Sequence, residues 1–142
     1  MSKNNCIFCQ IAAGQASAVR VWETERVLAF LDVVPVHLGH TLIIPKSHYE
    51  NFLDLPDDLW LEMDQVSRKV AQALLQVLKA QGFNLGMNNF AAAGQIVFHA
   101  HIHVIPRYLG DGLHLIPQEK KKYQGEEMVQ VGHKLGEALA NL

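Results

Sequence analysis

The segment His99-Ala100-His101-Ile102-His103-Val104-Ile105 sets three imidazoles at alternate positions. In an extended chain His99, His101 and His103 share one face, while Ala100, Ile102 and Val104 point the other way. Successive residues on one face lie about 6.6 Å apart, near enough for one ligand to meet two of them. Each ring carries polar nitrogens that need partners, so a row of three is expensive as core filler. The row admits three readings. It can be a reaction centre, since neutral imidazole is a competent nucleophile near pH 7. It can hold a catalytic zinc. It can also be the solvated face of an amphipathic strand.

A second constellation is Cys6-x-x-Cys9, half of a common zinc-binding pattern that two further ligands would complete. Candidate partners are His37, His40, His48, His99, His114 and His133. A dithiol redox site would need a preceding strand, which Cys6 lacks, and the remaining alternative is two ordinary thiols on a short helix. Asn88-Asn89 and Gly94-Gln95 precede the histidine row. Their amides could donate hydrogen bonds to phosphate oxygens.

The elements that must position these groups are legible from periodicity. Residues 6–12 read as a short helix ending at Gly14. Residues 19–22 and 27–31 read as strands joined by the polar turn Glu23-Thr24-Glu25-Arg26. A loop punctuated by Pro35 and Gly39 leads to a strand at 41–44, stopped by Pro45. Pro56, Asp57 and Asp58 open a long helix. Leu59, Met63, Val66, Val70, Leu74 and Val77 give it one apolar face, and Gly82 should end it. Strands at 83–87 and 98–105 flank a loop at 88–95. A last helix at 126–139 carries Met128, Val131, Leu135 and Leu139 on one side, despite Gly132 and Gly136. This order predicts an α+β fold: an antiparallel sheet of about five strands, one long helix, a short N-terminal helix and a C-terminal helix.

Bulk properties bound the rest. The 142 residues suit a single domain, 1–142, with a core at 4–108 and an extension at 109–142. A net charge of -2 supplies no general positive field, so no nucleic-acid partner is expected. No apolar run approaches the roughly 20 residues of a membrane helix, and no signal peptide is evident. The protein is expected to be cytoplasmic, without membrane association. Two cysteines are too few for a secreted disulfide scaffold.

With these landmarks in place, the chain resembles the histidine triad (HIT) family, whose motif is His-x-His-x-His followed by two apolar residues. The resemblance runs over residues 4–108 through Cys6-Ile7-Phe8-Cys9, Leu28-Ala29-Phe30-Leu31-Asp32, Gly39-His40-Thr41-Leu42-Ile43-Ile44-Pro45-Lys46 and Gly94-Gln95. Ile105-Pro106-Arg107-Tyr108 looks like the bacterial branch related to Hint-type nucleotide hydrolases. The resemblance implies a HIT-like fold and an enzyme, a nucleoside phosphoramidase or nucleotide hydrolase. It would cleave at the α-phosphate of purine nucleotide conjugates through a nucleotidyl-histidine intermediate.

Within that resemblance the catalytic set is His99, His101 and His103, with His101 as nucleophile. His103 would contact the phosphate and assist the departing group. Asn88 and Gln95 would hold non-bridging oxygens, Asp32 the ribose, and Ile7, Phe8, Ile11 and Phe30 the base. Zinc-containing relatives pair their Cys-x-x-Cys with histidines at the positions of His48 and His99, which implies a structural zinc on Cys6, Cys9, His48 and His99. No organic cofactor is implied. Relatives are homodimers, and the long helix from Asp57 to Ala80 is a candidate interface. Hint-type members commonly carry serine or threonine where this chain has Ile96, so a hydroxyl contact is missing and slower turnover or altered leaving-group preference is expected. Two other functions stay open: a dinucleoside polyphosphate hydrolase, and a nucleotide-binding regulatory protein with incidental hydrolysis.

Overall fold

Val27, Leu28, Ala29 and Phe30 are consecutive and all buried, as befits a strand covered on both faces. They lie in the sheet of a computed structural model that describes residues 5–114 and 120–142. Asn4, where the expected core begins, is outside the described residues. The elements in chain order are α1 (Ile7–Ala12), β1 (Arg20–Glu23), β2 (Val27–Leu31), β3 (Thr41–Pro45), α2 (Asp57–Val77), β4 (Gly82–Gly86), β5 (Ile102–Arg107) and α3 (Glu127–Leu139). Single 3-10 turns lie at Phe52–Asp54 and Ala91–Ala93. The sheet has five strands in the order β1-β2-β3-β5-β4, every neighbouring pair antiparallel. The α+β class and the strand number are as expected. No helix among the described residues is long and apolar enough to cross a membrane.

The chain divides into two compact units, Met1–Asp111 and Gly112–Leu142. The first holds the sheet with α1 and α2. At its end Arg107 pairs with Asp111 at 2.7 Å, and Asp111 also accepts the Tyr108 N–H. The second holds α3, whose apolar residues Met128, Val131, Leu135 and Leu139 are exposed.

Alternation along the strands sorts the core into two layers. Val27, Ala29, Ile43, Ala100, Ile102 and Val104 pack with Leu59, Met63, Val66, Val70 and Leu74 of α2. Leu28, Phe30, Leu42 and Ile44 pack on the other face with Cys6, Phe8 and Ile11 from α1 and its approach. The apolar stripe of α2 is therefore consumed by the sheet. The outer residues of α2, such as Leu61, Leu75 and Val77, remain exposed.

Three boundaries differ from expectation, each for a local reason. The helix α2 ends at Val77, ahead of Gly82, because Lys79 takes a positive φ of 55° and the Ala80 N–H turns back to the Leu74 carbonyl. Gly82 instead opens β4. Pro45 closes β3 from inside the strand. The last strand begins at Ile102, ahead of which the expected residues 98–101 run outside the ladder. The β3–β5 register stops at Ile43 and Ile102, since Pro45 has no N–H to donate further along. The Ala100 N–H goes to the Tyr49 carbonyl at 2.7 Å instead.

Candidate functional site

Release from the ladder splits the histidine row. His103, opposite Leu42 in the register, belongs to the face carrying α1. His101 lies beside it, ring centroids 4.9 Å apart, with Phe8 edge-on at 5.2 Å. His99 turns to the thiols: its Nδ1 is 3.4 Å from Cys6 Sγ and 3.5 Å from Cys9 Sγ. The alternation places all three rings on one side, but a bend over residues 97–99 lets His99 serve a different centre.

The hydrogen bonds assign the ring protons. His101 Nδ1–H donates to the His99 carbonyl at 2.6 Å, leaving Nε2 as the ring's bare nitrogen. The Val36 N–H donates to His40 Nδ1 at 3.1 Å, so His40 carries its proton on Nε2. That proton is donated to His103 Nδ1 at 2.8 Å, which leaves His103 with an Nε2–H. Burial keeps all these rings neutral. It pushes His103 down to about 4, with His101 and His40 adding to the effect and Asp32 opposing it. His101 and His40 are also lowered, chiefly by burial; for His101 the bond to the His99 carbonyl and the Asp32 carboxylate oppose the shift. Asp32, His40 and His103 also lie close enough to suggest a metal, but the ring nitrogens of His40 are spent on Val36 and His103.

The His101 and His103 rings line a cleft of about 510 Å³, within the range of small-molecule sites. Ile7, Phe8, Ile11, Phe30, Asp32 and Asn88 line it too, so the expected base, ribose and phosphate residues are brought together with His101 and His103. Asp32 is held by accepting the Val34 N–H at 2.9 Å. Gln95 is buried and is not among the residues lining the cleft: its Oε1 accepts the Phe90 N–H while its Nε2 donates to the Glu50 and Val97 carbonyls. It ties down the loop that carries Asn88 and Ile96. The His99 ring is not among those lining the cleft, and its carbonyl accepts the His101 Nδ1–H. Ser17, Val33, Val34 and Leu42 also line the cleft. Of these only Leu42 had a sequence signal, lying in the strand expected at 41–44; loop residues carry no periodicity to read.

Cys6, Cys9, His48 and His99 bring their ligand atoms within 4.8 Å of one another. Sulfur and nitrogen ligands at tetrahedral angles around zinc stand roughly 3.6 Å apart, given bonds of about 2.3 and 2.0 Å. The observed sulfur–nitrogen separations of 3.3 to 3.5 Å match that spacing. His99 Nε2–H donates to the Pro45 carbonyl at 2.7 Å, which leaves Nδ1 bare toward the thiols. Burial lowers its pKa to about 4, against the bond to Pro45. The donor set fits a metal ion.

Known proteins are similar to this chain in sequence and fold. Residues 13–110 match the HIT domain. A HIT family protein of Bacillus subtilis, of known crystal structure, is 40% identical with a TM-score of 0.83, covering 94% of this chain and 96% of that one. A zinc-bound histidine triad family protein of Mycobacterium smegmatis is 36% identical with a TM-score of 0.76, covering 96% and 99%. The adenylylsulfatase HINT3 of Arabidopsis thaliana is 39% identical over 105 residues, which are 74% of this chain and 53% of that protein. A histidine row with two rings in a nucleotide-sized cleft, and a domain match over most of the chain, lead to one assignment: the protein belongs to the HIT domain family.

Proposed function

We propose that the protein is a nucleotide hydrolase that cleaves at the α-phosphorus of purine nucleoside phosphoramidates or related conjugates, with His101 as nucleophile. The observation that carries this is the 2.6 Å bond from His101 Nδ1 to the His99 carbonyl, which leaves Nε2 as the attacking nitrogen of a cleft residue. The base lies against Phe8, Ile11 and Phe30, with Ile7 at the mouth and the ribose hydroxyls on Asp32. His103 Nε2–H and Asn88 donate to the phosphate oxygens, aimed at the charge that develops there.

The reaction balances without a cofactor. The Nε2 lone pair bonds to phosphorus, and the bond to the departing amine breaks with its electron pair. The amine nitrogen takes a proton from solvent. Water then adds to phosphorus, releases one proton and returns the pair to His101. Products are the free amine and the nucleoside monophosphate.

The cluster of Cys6, Cys9, His48 and His99 is read as a zinc site. With four protein ligands it is closed, so bound zinc would act as a cross-link and not as a water activator. It would tie α1, which carries Ile7, Phe8 and Ile11, to the segment before β5. Reduced thiols there fit a cytoplasmic location. Both units are read as one HIT protein with a C-terminal extension, working as a homodimer. β4 supports the dimer, being an outer strand of the sheet with no further strand beside it among the described residues, and with Phe83 and Leu85 exposed. Light scattering that gives a monomer at micromolar concentration would remove it.

Ile96 favours one competing reading, a nucleotide-binding regulator with incidental hydrolysis, because an aliphatic side chain supplies no hydroxyl to the phosphate. Rapid-quench kinetics with adenosine 5′-phosphoramidate labelled in phosphorus separates the two. The enzyme forms a labelled protein that turns over and is absent in His101→Ala. A protein that binds AMP with neither label nor turnover is the regulator.

A further inference from the structure

Asn88 lines the cleft, and the chain is fixed on either side of it. Two residues earlier, Gly86 of β4 pairs with His103 of β5. On the far side two hydrogen bonds hold the next residues. Asn89 Oδ1 accepts the Phe52 N–H at 2.8 Å, and the Phe90 N–H donates to Gln95 Oε1 at 2.8 Å.

These bonds oppose a strain. Phe90 has φ 68° and ψ 159°, a region that is essentially glycine's alone. Its side chain is half exposed, so burial of the ring does not keep it there. Such geometry persists where the surroundings over-determine it, and it gathers at ligand clamps. Phe52, the donor to Asn89, is itself well anchored. It opens the turn Phe52–Asp54, which is capped by a reciprocal exchange between Asn51 and Asp54. Its ring stands edge-on to Trp60 of α2 at 4.8 Å, and Trp60 packs on the core of the sheet. A line of contacts therefore runs from α2 through Trp60, Phe52 and Asn89 to the residue beside Asn88.

We infer that Asn89 is a positioning residue for the phosphate site. Its side-chain oxygen, taken up by the Phe52 N–H, holds the strained turn at Phe90 and so fixes where the Asn88 amide points. Without that bond Phe90 relaxes toward negative φ, and the Asn88 donor swings off the phosphate. The inference rests on the reading that sets Asn88 on the phosphate, and not on the chemistry that follows binding.

Calorimetry with AMP and with adenosine tests it on the full chain, because these ligands differ only in the phosphate. Asn89→Ala should weaken AMP binding about tenfold, the scale of one hydrogen bond to a charged group. Adenosine binding should not change. Asn88→Ala should behave alike, and the double variant should be no worse than Asn88→Ala alone. Phe90→Gly, added to Asn89→Ala, should recover part of the loss, since glycine keeps the turn without strain. The Phe52–Asn89 bond is exposed, so water can replace it and the thermal midpoint should move little.

Additive losses at Asn88 and Asn89 overturn the inference, as do equal losses for AMP and adenosine, or no recovery with glycine. Unchanged AMP affinity in Asn89→Ala overturns it too. If Asn88→Ala also leaves AMP affinity unchanged, the phosphate assignment of Asn88 has failed and the inference falls with it. Label on His101 judges the hydrolase reading separately. A protein that shows this AMP pattern and takes no label loses that reading and keeps the role of Asn89.

Discussion

His40 Nε2 lies 2.8 Å from His103 Nδ1, and that bond decides what His103 offers the cleft. Held from behind as an acceptor, the His103 ring must present its proton on Nε2. Replacing His40 by alanine frees the ring to adopt the other tautomer. The expected result is a fall in kcat of about 10- to 100-fold with KM little changed, the usual scale for a group that orients a site residue. His40→Gln, whose amide can donate to the same nitrogen, should recover part of the loss. Equal defects in both variants would mean that His40 only fills space.

Acid should weaken the fold over a defined range. The folded His103 ring titrates near 4 against an ordinary 6.5, so the unfolded chain takes up its proton first as pH falls. Stability from this group is complete above pH 6.5 and is lost as pH drops to 4, on the order of 3 kcal/mol. Urea unfolding at pH 7.5, 5.5 and 4.5 reads the slope, and His103→Asn should reduce it, His99 retaining a share because it is lowered to about 4 as well. His101 is lowered in the same direction. Because attack needs its neutral ring, kcat/KM should rise with pH through a midpoint below 6.5 and then level.

Metal content follows from the thiols. Purified protein is expected to hold about one zinc per chain, and Cys6→Ser with Cys9→Ser should release it. The same variant should lower the thermal midpoint and weaken AMP binding, because α1 bears Ile7, Phe8 and Ile11 of the cleft. Elemental analysis and calorimetry give both readings. Zinc retained at the wild-type level would exclude this ligand set.

Gly39 is required by space and by backbone. Its φ is +95°, and a Cβ there would run into Leu78 Cδ1 and stand 3.2 Å from Leu74 Cδ2. Gly39→Ala should cost about 2 kcal/mol or more, and it should disturb the neighbouring His40 and hence activity. Gly82→Ala, whose added Cβ meets nothing within 4 Å, serves as the control and should change stability by less than about 1 kcal/mol. Chemical denaturation of the two variants decides it.

Much of this was legible without coordinates. The apolar period of α2, the strand pairs and the composition led to the fold class because patterns of burial repeat along the chain. The histidine motif and Cys-x-x-Cys named the reactive groups because residue type limits chemistry. Gln95 shows where that ends: its amide is a fine phosphate donor by type, yet main-chain groups from Glu50, Phe90 and Val97 claim it.

Sequence by itself determined which side chains can attack, donate or ligate, and roughly which elements carry them. The resemblance already set His99 with the thiols and His101 apart from them; tertiary structure alone decided which ring nitrogen each one presents. The reason is physical. Whether an imidazole nitrogen is bare or protonated depends on the partner facing it, and those partners, Pro45, Val36 and the His99 carbonyl, are main-chain groups whose identity no side-chain pattern records.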